Sequence, residues 1–169
     1  ISPLDDVEAR AAVRAAYALD GPVYLRFGRL AVPVINDRAD YKFEIGKGVT
    51  LRDGADLTIL ATGLCVSQAL RAAESLKADG IDAGVINIHT IKPLDAELVV
   101  KAAGKTGNMV TVEEHSILGG LGSAVAEVLA EQCPVRMLRI GVQDVFGESG
   151  PAVQLLEKYG LDAGGIYNK

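Results

Sequence analysis

A chain of 169 residues, 49% hydrophobic and 23% charged, is long enough for about one ordered globular domain with some excess. A net charge of −5 with no basic run argues against nucleic acid as a partner, and no apolar run approaches the roughly 20 residues of a membrane helix, so no membrane is expected. Cys65 and Cys133 have no metal-ligand spacing with each other or with His89 and His115; they read as buried thiols in a reducing compartment, the cytoplasm, and no metal site is expected.

Ile1 stands just ahead of a helix start, so the chain reads as a piece of a longer one. Ser2-Pro3-Leu4-Asp5 supplies a cap, a first-turn proline and an acid, predicting a helix to Ala18 or Leu19. Asp20-Gly21-Pro22 breaks it. Val23 to Phe27 alternates as a strand, and one helix with one strand is too little to fold alone. Residues 32–41 (VPVINDRADY) show no period and read as a linker between domains. Beyond it, Phe43–Ile45 and Val49–Leu51 look like edge strands, and Leu57–Ala61 like a buried one. Residues 64–79 carry Val66, Ala69, Leu70, Ala73 and Leu76 at helical spacing. Strands over Val85–Ile88, Met109–Val112 and Met137–Ile140 then alternate with helices beginning near Pro93–Asp95, at Leu121 and near Pro151. Such alternation predicts an α/β fold with a mostly parallel sheet covered on both faces.

The stretch EEHSILGGLGSAVAE, Glu113–Glu127, attracts attention first as a site, because polar groups there meet a glycine-rich helix start. Gly120 and Gly122 begin a dinucleotide fingerprint, but Val125 stands where the third glycine belongs, and Asp144 is a poorly placed acid. A sharp turn with close packing explains the glycines as well. His115 beside Glu113 and Glu114 is either a general base or a structural or interface histidine. His89 at a strand exit reads as structural. At Lys92–Asp95, Asp95 caps and Glu97 favours the positive helix end, while Lys92 reads as a solvated charge. Asp144–Gly150 (DVFGESG) is a surface loop or a loop over a crevice. Arg26 and Arg29 stand at a strand end on either side of Gly28. Their forks suit a phosphate or carboxylate, and equally a salt bridge to Asp37 or Asp40.

Taken together, SPLDDVEARAAVRAA, GPVYLRFGR, YKFEIGKGVTLRDG, INIHTIKPLD, VTVEEHSILGGLGSAVAE and GVQDVFGESG resemble, in order and over nearly the whole chain, the C-terminal portion of a transketolase. The likeness is strongest to the separately encoded C-terminal subunit of some bacteria. It implies that residues 1–31 are the last helix and strand of a pyrimidine-binding domain, and that 32–41 are a linker. Residues 42–169 would then be a transketolase C-terminal domain, a three-layer α/β/α unit with a mixed, mostly parallel sheet.

The resemblance further implies that Arg29, with Arg26 beside it, binds the substrate phosphate. Glu113, Glu114 and His115 would form a structural or interface cluster, and no catalytic residue would lie in this fragment. Thiamine diphosphate and Mg2+ would be held outside it. The partners would be an N-terminal transketolase part or subunit, sugar phosphates and a second copy in a homodimer, within the pentose phosphate pathway. Alternatives are a piece of 1-deoxyxylulose-5-phosphate synthase or of a 2-oxo-acid dehydrogenase beta subunit, and a stand-alone nucleotide-binding or interaction module. The final GGIYNK departs from the helix that the family leads one to expect there.

Overall fold

The computed structural model describes all residues from Ile1 to Lys169. A helix α1 (Asp6–Ala18) precedes strands β1 (Val49–Arg52) and β2 (Leu57–Ala61), helix α2 (Cys65–Ala78) and β3 (Ala83–Asn87). Helix α3 (Ala96–Thr106), β4 (Asn108–Ser116), α4 (Leu121–Gln132), β5 (Arg136–Val142), α5 (Ala152–Tyr159) and α6 (Ala163–Tyr167) complete the chain. The five strands form one sheet in the order β1-β3-β2-β4-β5. β1 is antiparallel to β3, and the other pairings are parallel.

Strand periodicity builds the layers. Ile59, Ala61, Val85 and Val112 point to one face, where they meet Cys65, Val66, Ala69 and Ala73 of α2 and Ile166 of α6. Leu60, Ile86 and Met109 point to the other, against Val99 and Ala103 of α3 and Leu121, Val125 and Leu129 of α4. Adjacent residues of one strand thus feed opposite cores, which is why these strands read as continuous apolar runs. The sheet is mostly parallel and covered on both faces, as the alternation predicts, and its antiparallel edge strand makes it the mixed, three-layer α/β/α unit that the resemblance implies.

Several expectations are corrected. Helix α1 begins at Asp6, and its cap is Asp5, whose carboxylate accepts from the Glu8 N–H at 2.9 Å; Ser2 and Pro3 lie outside it. Asp5 lies three residues before Glu8, the spacing of a capping box, and so outcompetes the serine. Residues 23–27 are not a strand: their backbone bonds are limited to Ile1 N–H to the Tyr24 carbonyl and Arg26 N–H to the Ile1 carbonyl. Alternation suffices for a strand only where another strand lies alongside to complete the ladder. Residues 43–45 likewise pair with none, and Phe43 packs its ring on His89 with centroids 4.4 Å apart.

The final GGIYNK does contain a helix, α6, capped by Asp162 and seated by buried Ile166. Gly165 permits it, since a Cβ there would lie 2.4 Å from Gly160 Cα. Low helix propensity is overridden because the chain reversal needs that close approach.

Cys65 is buried as expected, whereas Cys133 is only partly so. Burial, with the charges of Glu114 and Glu113, pushes the Cys65 thiol well above its ordinary range. A thiol-specific disulfide reagent at mildly alkaline pH should therefore titrate one cysteine, Cys133, and reach the second only after denaturant is added. Rapid release of two equivalents from the folded chain would contradict this burial.

Candidate functional site at the carboxyl ends of two strands

Helix α2 runs on one face from β2 to β3, while α3 and α4 lie on the other. The chain therefore turns opposite ways from the neighbouring strands β2 and β4, and open α/β sheets place their crevices beyond the carboxyl ends at such a point. A cleft of about 570 Å³ lies there. Thr62 after β2, with Glu113, Glu114 and His115 of β4, forms its floor; Ile1, Ser2 and residues 22–26 contribute from the N-terminal segment.

Strand geometry separates the three polar residues that the sequence sets side by side. Glu113 is buried, and its two oxygens accept from the Leu121 and Gly122 N–H groups at 2.8 Å each. The carboxylate thus closes the N-terminus of α4, meeting both unpaired amides and the positive end of the helix. Gly120 is required beside it: an added Cβ would sit 1.9 Å from Glu113 Oε2. The anion seat that a nucleotide phosphate would need is filled by the protein's own side chain, which removes the physical basis of the dinucleotide reading. Val125, in the third glycine's place, is a core residue of α4.

Glu114 points the other way. Its carbonyl accepts from Arg26 Nη2 at 2.9 Å, and its carboxylate lies 3.7 Å from the same nitrogen. His115 is exposed and has no hydrogen bond to either glutamate, so no histidine–carboxylate pair exists for proton transfer. His89 is fully buried, with Nδ1 2.9 Å from Thr90 Oγ1 and Nε2 unpartnered; burial lowers its pKa to about 4.

The two arginines are not brought together. Arg26 lines the cleft and spends part of its fork on Glu114. Arg29 is exposed outside the cleft's lining and forms no ion pair, with Asp37 and Asp40 no exception. Asp95 caps α3 through the Leu98 N–H and also accepts from Gly48 N–H, while Lys92 lines the cleft as an exposed charge. The 144–150 loop carries a fully exposed Phe146, and Glu148 within it pairs with Lys158 at 2.6 Å.

A polar junction that the local sequence pattern does not announce lies behind the N-terminal segment. Asp5 Oδ2 accepts from the Ile35 and Asn36 N–H groups at 2.8 and 2.7 Å. Glu8, fully buried, accepts from Leu4 N–H at 2.7 Å on Oε2 and, on Oε1, from Tyr41 at 2.6 Å, Asn87 at 2.8 Å and Asn36 at 3.4 Å. Burial raises the Glu8 carboxyl above its ordinary range, against the pull of those donors. The D-x-x-E spacing was the available signal, masked by the earlier serine and proline.

With this geometry in view, the chain matches known proteins as follows. Residues 46–166 match the family model described as the transketolase C-terminal domain. The 6-deoxy-6-sulfo-D-fructose transketolase subunit of Clostridium sp. strain MSTE9 is 51% identical over 95% of this chain and 50% of its own length. One subunit of the apulose-4-phosphate transketolase of Phocaeicola vulgatus is 43% identical over 98% of this chain and 53% of its own. A solved structure described as a split gene transketolase, inactive beta4 tetramer, superposes with a TM-score of 0.93 at 49% identity, covering 98% of this chain and 54% of that one. The chain thus spans about half the length of these relatives.

Proposed function

We propose, from the premise that the chain belongs to the transketolase C-terminal domain family, that it is the C-terminal part of an enzyme moving a two-carbon ketol unit between sugar phosphates or closely related sugars. The chain serves assembly and substrate orientation and is inactive alone. Residues 1–31 act as the end of a pyrimidine-binding domain, 32–41 as the linker and 42–169 as the C-terminal domain.

The observation that carries this reading is the state of the N-terminal unit. Of α1's 13 residues, Glu8 and Ala12 alone are buried, while Val13, Tyr17, Leu19, Tyr24, Phe27 and Val34 stand exposed around an unpaired extended segment. A helix and a would-be strand with their apolar faces open belong against further protein. An N-terminal transketolase part supplies that protein, and a second copy completes a dimer. A cytoplasmic setting suits the two free thiols.

The residues present do not fit thiamine diphosphate and Mg2+. No group of three or more His, Cys, Asp or Glu side chains is placed to hold a metal, and Glu113 fills the helix end best suited to a diphosphate. We therefore place the cofactor on the partner part. What this chain offers substrate is the unpaired guanidinium of Arg29, a permanent charge suited to a phosphate or sulfonate, with Arg26 holding the segment that carries it against Glu114.

Turnover of fructose 6-phosphate with glyceraldehyde 3-phosphate, in the presence of thiamine diphosphate and Mg2+, tests the reading. No transfer is expected from this chain alone, and transfer is expected on adding the N-terminal part. Turnover by the 169 residues alone, or none from the combined parts with any ketose phosphate or sulfonate, would overturn it.

A further inference from the structure

Apart from the Arg26 bond to the Glu114 carbonyl and the packing of Leu30 on the core, the arginine segment has few anchors of its own. Residues 20–31 form no helix or strand. Their backbone meets the rest of the protein through the two bonds between Ile1 and Tyr24 or Arg26. Residues 1–4 are in turn laced to the sheet: Ser2 N–H donates to the His89 carbonyl at 2.7 Å, and the Ser2 carbonyl accepts from Gly63 N–H at 3.2 Å. The next backbone amide with a side-chain partner is Leu4 N–H, on Glu8 Oε2. The chain returning from the arginines is fixed at residues 35, 36 and 41 by Asp5 and Glu8. Glu8 thus joins the stretch that pairs with the arginine segment, the stretch that follows it, and Asn87 at the end of β3.

We propose that Glu8 is a positioning residue, which sets where the Tyr24–Arg29 segment sits over the carboxyl end of the sheet without touching the cleft. Its effect on substrate rests on the ketol-transfer reading and on Arg29 as phosphate anchor. A buried carboxylate that collects four donors from three separate parts of the chain is costly to desolvate, and no cation offsets it. Capping α1 does not require it, since Asp5 already does so. The spread of its partners accounts for its presence: one side chain fixes three segments relative to each other.

Glu8→Gln discriminates well. Its amide oxygen still accepts on one side, but its NH2 opposes the Leu4 N–H donor, so the lacing of residues 1–4 is what loosens. Tyr41→Phe removes one donor and gives a milder form of the same change. In hydrogen exchange on the full protein carrying this chain, the bonded amides of Ser2, Leu4, Arg26, Ile35 and Asn36 should exchange about tenfold faster in Glu8→Gln, with β2 and β4 unchanged. In the assembled enzyme, KM for a phosphorylated acceptor should rise about fivefold to tenfold with kcat within about twofold, while KM for glycolaldehyde, which has no phosphate, stays constant.

Unchanged exchange at these amides in both variants would overturn the positioning role. Equal KM increases for both acceptors would overturn its link to the phosphate. If the exchange pattern appears but the wild-type enzyme turns over no sugar phosphate, the ketol-transfer reading falls and Glu8's hold on the segment stands.

Discussion

Replacing Glu113 by alanine is expected to destabilise the protein by about 3 kcal/mol. The change strips the N–H groups of Leu121 and Gly122, both buried residues, of their acceptor. Each unpaired buried donor costs about 1–3 kcal/mol, and the charge at the helix end adds a smaller amount. Gly120→Ala should cost about the same by a different route, since the new methyl group would expel the carboxylate from its seat.

The two changes act on one interaction, so they must not add. In a double-mutant cycle followed by urea unfolding, Gly120→Ala made on the Glu113→Ala background should cost about 1 kcal/mol or less, because the methyl then meets no carboxylate. Full additivity would show that Gly120 serves backbone conformation alone and that the glycine-rich turn was not shaped around Glu113.

Acid sensitivity centred on His89 is the second large effect expected. Its folded pKa of about 4 lies below the ordinary 6.5, so the unfolded chain binds a proton that the folded chain refuses across that window. Stability therefore rises with pH through the window. The contribution is fully present above pH 6.5 and is lost as pH falls through 6.5 toward 4, amounting to about 3 kcal/mol. Burial is the main cause, with the nearby N-terminal ammonium adding to it; a protonated Nε2 has no acceptor, and Phe43 closes over the ring.

Glu8 acts in the opposite sense. Its raised folded pKa means that stabilisation present below the ordinary 4.5 is lost as pH rises through the folded value. His89→Phe keeps the aromatic packing and removes the titration, so the positive slope of stability between pH 4.5 and 6.5 should largely disappear. Urea midpoints measured across that range would show this, and an unaltered positive slope in His89→Phe would assign acid sensitivity to another group.

Much of the architecture was legible in the sequence because it depends on local pattern. The apolar runs at 57–61, 83–88 and 109–112 are continuous since both faces of the sheet are covered, and α2 and α4 declare themselves by spacing. Asp95 was readable as a cap because the capping residue and the helix it caps are neighbours. The family was legible too, since ordered motifs cover nearly the whole chain, and the match over residues 46–166 agrees with them.

What failed has two sources, a pairing partner that the fold does not supply and close local contacts that a competing local signal hides. Val23–Phe27 has the alternation of a strand and no strand to pair with. GGIYNK looks unfit for a helix until Gly165 is seen against Gly160. Helix α1's start was misplaced by a serine and a proline that obey the local rule while Asp5 makes the bonds.

The sequence by itself determined the layered α/β fold, the family, and the absence of a metal-ligand spacing among cysteines and histidines, because periodicity and motif order are written along the chain. Tertiary structure alone decided what the polar residues do. Strand alternation turned Glu113 inward to close α4, turned Glu114 toward Arg26, and left His115 in solvent. Chain reversal brought Leu4, Asn36, Tyr41 and Asn87 onto Glu8, contacts separated by up to 79 residues. A carboxylate's role is set by the donors that folding delivers to it, and those donors have no fixed distance in sequence.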